Sequence, residues 1–416
     1  MKVDSDDWFR KRLLERFIRY VKFDTTSNPH SKTFPTTGGQ RELANSLKTE
    51  LTDMGITDTH VDENGFVIAR IEGQTNSPVI GLIAHMDTSP DVTGKNVKPI
   101  VHENYNGEEI NLTGNVVISP EDSPGLKAYA GDTIITSDGT TLLGADDKAG
   151  VAEIMTAVEY MVKHPELQHG SFEVIFTPDE ETGLGMSRFP IDKIKSKYCY
   201  TVDGSEEGDI EIETFNAYRV TVQLTGRIIH PGYARGKLIN AITMATKFLN
   251  LIPESESPEA TDGRFGYYYP YQISGNTEKS TIEILIRDFD NSIALKRIDA
   301  LKAIATAVET GYSGGKVKLD IEKQYTNMGE YIKKEPQILS ILQNAVKEAG
   351  LQPNIKYIRG GTDGARLSEM GIPTPNIFTG GHNFHSRTEW IALGAMVRAT
   401  KTLTNLIHLW SQIGKT

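Results

Sequence analysis

At 416 residues the chain is long enough for two domains, one inserted into the other, and 38% hydrophobic with 24% charged residues is the make-up of an ordinary folded protein. A net charge of −11 argues against a nucleic-acid partner, and no apolar run reaches the length of a membrane span. The single cysteine, Cys199, excludes an intramolecular disulfide and a thiolate metal cluster; any metal must be held by His, Asp and Glu, and a reducing compartment, the cytoplasm, is the expected setting.

In chain order, Asp4 to Phe23 reads as an amphipathic helix with Leu13, Leu14, Phe17, Ile18 and Val21 on one face. It is charged throughout and lacks the apolar core of a secretory signal. A loop rich in Thr, Ser, Pro and Gly follows over Asp24 to Gly38, then a helix from Gln40 to Met54 that stops at Gly55. Thr57 to Ile71 alternates as a hairpin with Glu63-Asn64-Gly65 as its turn. Val79 to Ala84 is a compact apolar run, a buried strand that ends abruptly in His85-Met86-Asp87-Thr88. Pro90 to Thr141 carries short strands and turns with no chemistry of its own. Ala149 to about His164 is a helix; Phe172 to Thr177 and Tyr198 to Val202 are strands, the first leading into Pro178-Asp179-Glu180-Glu181 and the second into Asp203.

From about Phe215 to Tyr325 the texture changes. Strands at Tyr218 to Leu224, Thr281 to Arg287 and Val317 to Lys323, helices at Leu238 to Leu251 and Ser292 to Glu309, and a loop over Pro253 to Pro270 describe a compact α+β unit, expected as a four-stranded sheet with two helices, three of whose strands are placed here. Afterwards come a helix from Gln337 to Ala349, a strand over Asn354 to Ile358, the turn Arg359 to Gly364, the strand Asn376 to Phe378 with Gly380 to His385 behind it, and a terminal helix from Ile391 to Leu409. The expected fold is α/β: a mostly parallel sheet with helices on both faces, formed by residues 1–213 and 323–416, interrupted by a smaller domain over 214–322.

The chemistry collects at strand ends. In Thr141 to Gly150 two adjacent acids, Asp146 and Asp147, open a helix; the plain reading is that one caps it and the other is solvated. Yet His85, Glu181 and Asp203 also follow buried strands, and sites in parallel sheets form beyond the carboxyl ends of the strands. Gathered on one edge, such carboxylates would repel by about 4 kcal/mol per close pair at an effective dielectric of about 20, a conflict that a divalent cation resolves. His85, Asp146, Glu181, Asp203 and His385 are the candidate ligands, too many for one tetrahedral ion and suited to two sharing a carboxylate, with Asp146 the best bridge. Asp87, two residues after His85 on an extended segment, could set the imidazole tautomer, and Glu180 is the best candidate for a general base.

Taken together, His85-Met86-Asp87-Thr88-Ser89-Pro90-Asp91, Leu143 to Val151, Thr177-Pro178-Asp179-Glu180-Glu181, Arg287-Asp288-Phe289-Asp290, Arg359 to Ala365 and Phe378-Thr379-Gly380-Gly381 resemble the co-catalytic di-zinc exopeptidases, a family that includes carboxypeptidase G, succinyl-diaminopimelate desuccinylase and aminoacylases, and within it the tripeptide aminopeptidases. The resemblance spans nearly the whole chain. It implies two Zn2+ per subunit, replaceable by Co2+ or Mn2+, with His85 and Asp203 on one ion, Glu181 and His385 on the other, and Asp146 between them. It implies Glu180 as general base and Asp87 as the group orienting His85. His382 stands three residues before His385 and raises the question of which histidine is the ligand; the one after Asn383-Phe384 fits better. The inserted domain would be a lid: His230 would stabilise the oxyanion, and Arg287, with Asn240, would hold the substrate carboxylate. Arg359 could line the pocket with Thr362, or form a structural ion pair. Short peptides are the implied substrates, and a homodimer through the lid is the implied assembly.

Rival readings are a dipeptidase, carboxypeptidase or N-acyl-amino-acid deacylase built on the same chemistry, a metal-dependent binding protein without catalysis, and an anion- or nucleotide-binding protein using the glycines near Gly144 or Gly360, for which no Walker-type lysine spacing exists.

Overall fold

The structure, a computed structural model, describes residues 6–413. It comprises two compact units. The first is the chain up to Ile212, Tyr331–Lys356 and the chain from Met370 onward; the second is Glu213–Glu330 with Tyr357–Glu369. The second unit thus runs past residue 322 and takes in a segment expected in the first. Ile358 N–H donates to the Glu213 carbonyl (2.8 Å), the Arg359 guanidinium grips the loop at 261–265, and Lys323 pairs with Glu369.

The first unit is built on an eight-stranded sheet in the order Thr59–Val61, Val67–Ile71, Gly170–Thr177, Thr75–His85, Tyr198–Gly204, Asn376–Phe378, Asp209–Glu213, Asn354–Tyr357. The four central strands are parallel and the outer pairings recorded for Val67–Ile71 and Asp209–Glu213 are antiparallel, so the sheet is mixed rather than parallel throughout. Central strands buried on both faces read as unbroken apolar runs, which is why Val79 to Ala84 announces itself. Ala145–Lys163 and Leu393–Trp410 pack against this sheet and each other, and Asp6–Tyr20 packs on both helices, through Phe9, Leu13, Phe17, Val158, Leu403 and Trp410, all buried. Of the face expected on the first helix, Leu13, Phe17 and Val21 are fully buried, with Leu14 and Ile18 half so. Asp4, where that helix was expected to start, lies outside the described residues. The terminal helix begins at Leu393, because Trp390–Ala392 is a strand of a second, four-stranded antiparallel sheet with Gly381–His382, Ile134–Thr136 and Ile100–His102.

The second unit is a four-stranded antiparallel sheet, ordered Tyr267–Gly275, Lys279–Asp288, Asn216–Thr225, Lys316–Tyr325, with Ala241–Leu249 and Asn291–Gly311 on one face. Its core is Val220, Val222, Leu224, Ile282, Ile284, Ile286 and Phe248. The alternation of Lys279–Asp288, with Ile282, Ile284 and Ile286 inward, is that of a half-buried strand. The Pro253 to Pro270 loop ends sooner than expected, since Tyr267 already begins the edge strand. Pro270 is tolerated there beside a register shift before Gln272.

Candidate metal centre

Parallel pairing brings the strand ends together. His85 lies level with Thr177 in register, and Tyr198–Gly204, carrying Asp203, flanks His85's strand on the other side. After Thr177 the chain turns through Asp179, whose φ of +57° is rare for a residue with a Cβ. The buried Asp179 carboxylate accepts from Thr36 N–H (2.8 Å), Gln40 Nε2 (2.7 Å) and the Thr36 hydroxyl, and Gln40 Oε1 accepts from Asp179 N–H (3.0 Å). That clasp sets the direction of the next two residues. Glu180 N–H and Glu181 N–H both donate to the fully buried Asp87 carboxylate, at 3.0 and 3.1 Å. Asp87 therefore does more than the expected orienting of His85. Its carbonyl lies 3.1 Å and its carboxylate 3.4 Å from His85 Nδ1, while the same carboxylate anchors the Glu180-Glu181 backbone.

At the start of Ala145–Lys163 the backbone of Asp146 and Asp147 departs from the helix, at φ/ψ of −83°/103° and −123°/30°. The two acids part company. Asp147 caps the helix, accepting from Gly150 N–H (3.3 Å), and also takes His85 N–H (3.0 Å). Asp146 turns the other way, between two imidazoles: its Oδ1 is 2.8 Å from His85 Nε2 and its Oδ2 3.1 Å from His385 Nε2. Each imidazole faces a second carboxylate, His85 Nε2 towards Asp203 Oδ1 at 3.5 Å and His385 Nε2 towards Glu181 Oε1 at 2.9 Å. Asp91 Oδ2 lies 3.3 Å from His385 Nδ1, as Asp87 does for His85. One short stretch after a strand thus serves both rings. His382 is elsewhere. It stacks on Trp390 with ring centroids 4.0 Å apart, meets Tyr129 edge-on, and burial lowers its pKa to about 4.

The electrostatics of the cluster are those of a cation site. Burial raises Asp203 to about 6 and Glu181 to about 7, and in both Asp146's negative charge pushes the same way. Hydrogen bonds to Asp146 and Glu181 lift His385 to about 11; at His85 burial opposes the charged ring, but Asp203 and the bonds to Asp146, Asp203 and Asp87 raise it well above its usual value. Burial disfavours the Asp146 anion, yet its bonds to both imidazoles hold it ionised. Two groups of donor atoms come within 4.8 Å of one another, His85 with Asp146 and Glu181, and His85 with Asp147 and Asp203. Nitrogen and carboxylate oxygen in this proportion fit divalent transition ions, with Asp147 as a near neighbour that the sequence reading left out.

The remaining candidates belong to the second unit. His230 is exposed, precedes a short 3₁₀ turn and accepts Gly232 N–H at Nδ1 (3.1 Å). Asn240 caps Ala241–Leu249 by accepting Ile242 N–H (2.9 Å). Arg287 is buried, donates to the carbonyls of Ile286 (3.0 Å) and Tyr218 (3.3 Å) and lies over the Tyr325 ring. Arg359 holds the carbonyls of Gly263 and Phe265 (both 2.8 Å) and of Thr261 (3.2 Å), with the Thr261 hydroxyl (3.1 Å), and sits over Phe215 and Tyr267. Its partners are backbone carbonyls and one hydroxyl, and among the described residues no acid pairs with it.

Sequence reasoning gave one of Asp146 and Asp147 a capping role without saying which, and missed the hold of Asp147 on His85 N–H, Asp179 with its Thr36 and Gln40 partners, Asp91, and Glu389. The last is buried, and its carboxylate accepts the N–H groups of Leu143, Gly144 and Asp146. For Asp91 the signal was present in the motif that ends on it; for Glu389, alone ahead of Trp390, there was none.

Residues 128–409 match the Peptidase family M20/M25/M40. The chain is 46% identical over 407 residues to a peptidase T of Caldanaerobacter subterraneus subsp. tengcongensis, covering 97% of this chain and 100% of that protein. It is 47% identical to a peptidase T of Listeria monocytogenes serotype 4b, covering 97% and 99%. Its fold is that of aminopeptidase PepT from Bacillus cereus (TM-score 0.77, 22% identity, 97% and 99% covered) and of a Staphylococcus aureus tripeptidase (TM-score 0.78, 20% identity, 97% and 99% covered). A dinuclear metal binding peptidase of the M20 family from Bacillus subtilis shares it as well (TM-score 0.70, 15% identity, 98% and 100% covered). With the family matched over most of the chain and peptidase T matched end to end, this protein belongs to the M20/M25/M40 peptidases, alongside peptidase T, and is a hydrolase of the exopeptidase kind.

Proposed function

We propose that the protein is a metal-dependent aminopeptidase that releases the N-terminal residue of tripeptides, with His85 and Asp203 holding one divalent ion, Glu181 and His385 a second, and Asp146 shared. The observation that carries this reading is the placement of Asp146, one oxygen against each imidazole, with a further carboxylate beyond each ring. Zn2+ suits the donors, and Co2+ or Mn2+ would substitute. Bound there, the ions supply Lewis acidity and lower the pKa of water. Glu180, whose backbone is anchored on Asp87, takes a proton from the attacking water and returns it to the leaving amine. His230, of the second unit, polarises the scissile carbonyl, and Arg287 with Asn240 receives the substrate carboxylate. A homodimer through that unit belongs to the same reading; the edge strand Tyr267–Gly275 exposes Tyr269, Tyr271 and Ile273.

The test is hydrolysis of an unblocked tripeptide beside its N-acetylated and dipeptide counterparts, with zinc and after chelation, for the native chain and Glu180→Ala. Zinc-dependent cleavage of the unblocked tripeptide, reduced at least about a thousandfold in Glu180→Ala while zinc stays bound, is the expected result. Cleavage of the acetylated peptide would turn the reading to a deacylase or carboxypeptidase, and zinc binding without turnover of any substrate would sink it.

A further inference from the structure

The loop that presents Asp146 is held by one buried carboxyl group, that of Glu389. Glu389 Oε2 accepts Leu143 N–H (2.7 Å) and Gly144 N–H (2.8 Å), and Oε1 accepts Asp146 N–H (3.0 Å). Gly144 is left-handed at φ +85°, and the turn points three amides at a single point, a nest that without an acceptor would leave three donors unsatisfied. Glu389 itself cannot drift. It leads into Trp390–Ala392, which is paired on both sides, with Ile134–Thr136 and with Gly381–His382. It also lies four residues after His385.

We propose that Glu389 is a positioning residue for the metal centre: by taking the amide of Asp146 it keeps that residue out of the helix that starts beside it, so that the Asp146 carboxylate stands between His85 and His385 before any ion arrives. The backbone supports this assignment, since Asp146 is extended at ψ 103° where a helical residue would sit near −42°. Asp147, one residue on, is the acid that caps the helix. Released from Glu389, Asp146 competes for that N-terminal position, where amides are unpaired and the dipole favours an anion. A shared ligand lost in this way weakens both ion positions together.

Glu389→Gln isolates the effect. The amide's one oxygen is best placed on the Leu143 and Gly144 pair, which leaves its NH2 against Asp146 N–H, two donors facing each other. The inference rests on the two-ion reading, and the full-length chain tests the two separately with Zn2+ as the only probe, by elemental analysis and chelator competition. Expected are two zinc ions per native chain, and retention weakened about 10–100-fold in Glu389→Gln with a native circular dichroism spectrum and a cooperative melt. Asp146→Asn and the double variant Asp146→Asn/Glu389→Gln should hold zinc equally poorly, because Glu389 acts through Asp146. Zinc affinity within twofold of native in Glu389→Gln, or losses that add in the double variant, would overturn the assignment and leave Glu389 a stabilising residue alone. If Glu389→Gln does not fold, Glu389→Asp, with the carboxyl kept and the reach shortened by a methylene, is read against the same two outcomes. A native chain that binds no zinc would instead overturn the two-ion reading.

Discussion

Neighbouring acids of one type do different work here because their surroundings differ. Asp146 and Asp147 share a turn, yet one lies between imidazoles and the other is buried against His85 N–H and Gly150 N–H, where burial and the nearby Asp203 charge raise its pKa well above the usual value. Further along the same helix Glu153 is fully buried, neither oxygen has a hydrogen-bond partner, and burial raises its pKa well above the carboxylate range. Burial therefore favours its neutral form in the folded state. A raised native pKa contributes stability that is fully present below the unfolded value of about 4.3 and is lost as pH rises from there. Glu153→Met, which removes the unpaired carboxyl at similar length, should therefore stabilise the chain by about 1–2 kcal/mol at pH 7. The gap from the native chain in urea unfolding should widen between pH 4 and pH 8. A gap that narrows over that range would mean that Glu153 is ionised in the native protein.

Whole elements are joined by single polar side chains at their ends. Asp179, Thr36 and Gln40 tie the loop before Gly38–Asp53 to the turn that carries Glu180 and Glu181. Arg359 does the same in the second unit, its planar fork gathering the loop at 261–265 beneath two aromatic rings. Arg359→Ala should leave those carbonyls without their charged donor and destabilise the loop by about 2–3 kcal/mol. Amide exchange across 261–265 should accelerate accordingly, while KM for a tripeptide changes less than twofold. A large rise in KM with unchanged exchange would restore the substrate-binding role that the sequence suggested for this residue.

At the scale of the molecule, the proposed metal centre would draw together positions 85, 146, 181, 203 and 385, so an ion bound there would cross-link the first unit from an early strand to the loop ahead of its last strand. A ligand that binds only the folded state stabilises it by about 2.7 kcal/mol at a hundred times its dissociation constant. The thermal midpoint of the native chain should therefore climb with added Zn2+ and return on chelation, as followed by scanning calorimetry; a midpoint indifferent to zinc would exclude the cluster as a metal site. Among the described residues no helix is long and apolar enough to cross a membrane.

Much of this protein was legible without coordinates. Buried parallel strands must be continuous apolar runs, and a His or acid that interrupts such a run at its end has few reasons to be there, so His85, Glu181 and Asp203 stood out, and the motif set placed the chain in its family. Alternation likewise exposed the core faces of Asn216–Thr225 and Lys279–Asp288. What the tertiary structure alone decided are matters of long-range pairing and direction. The pairings of Val67–Ile71 and Asp209–Glu213 with the central strands turned out antiparallel, Tyr267–Gly275 extended the second sheet into what read as loop, and Tyr357–Glu369 joined the second unit. Asp146 and Asp147 separated because backbone angles, not residue type, aim a carboxylate, and Arg359 was bound to carbonyls that carry no mark in a sequence. Glu389 is the extreme case: an isolated acid 243 residues from the amide of Asp146 that it holds, invisible to periodicity or motif because the only thing that specifies its partner is the fold that brings them together.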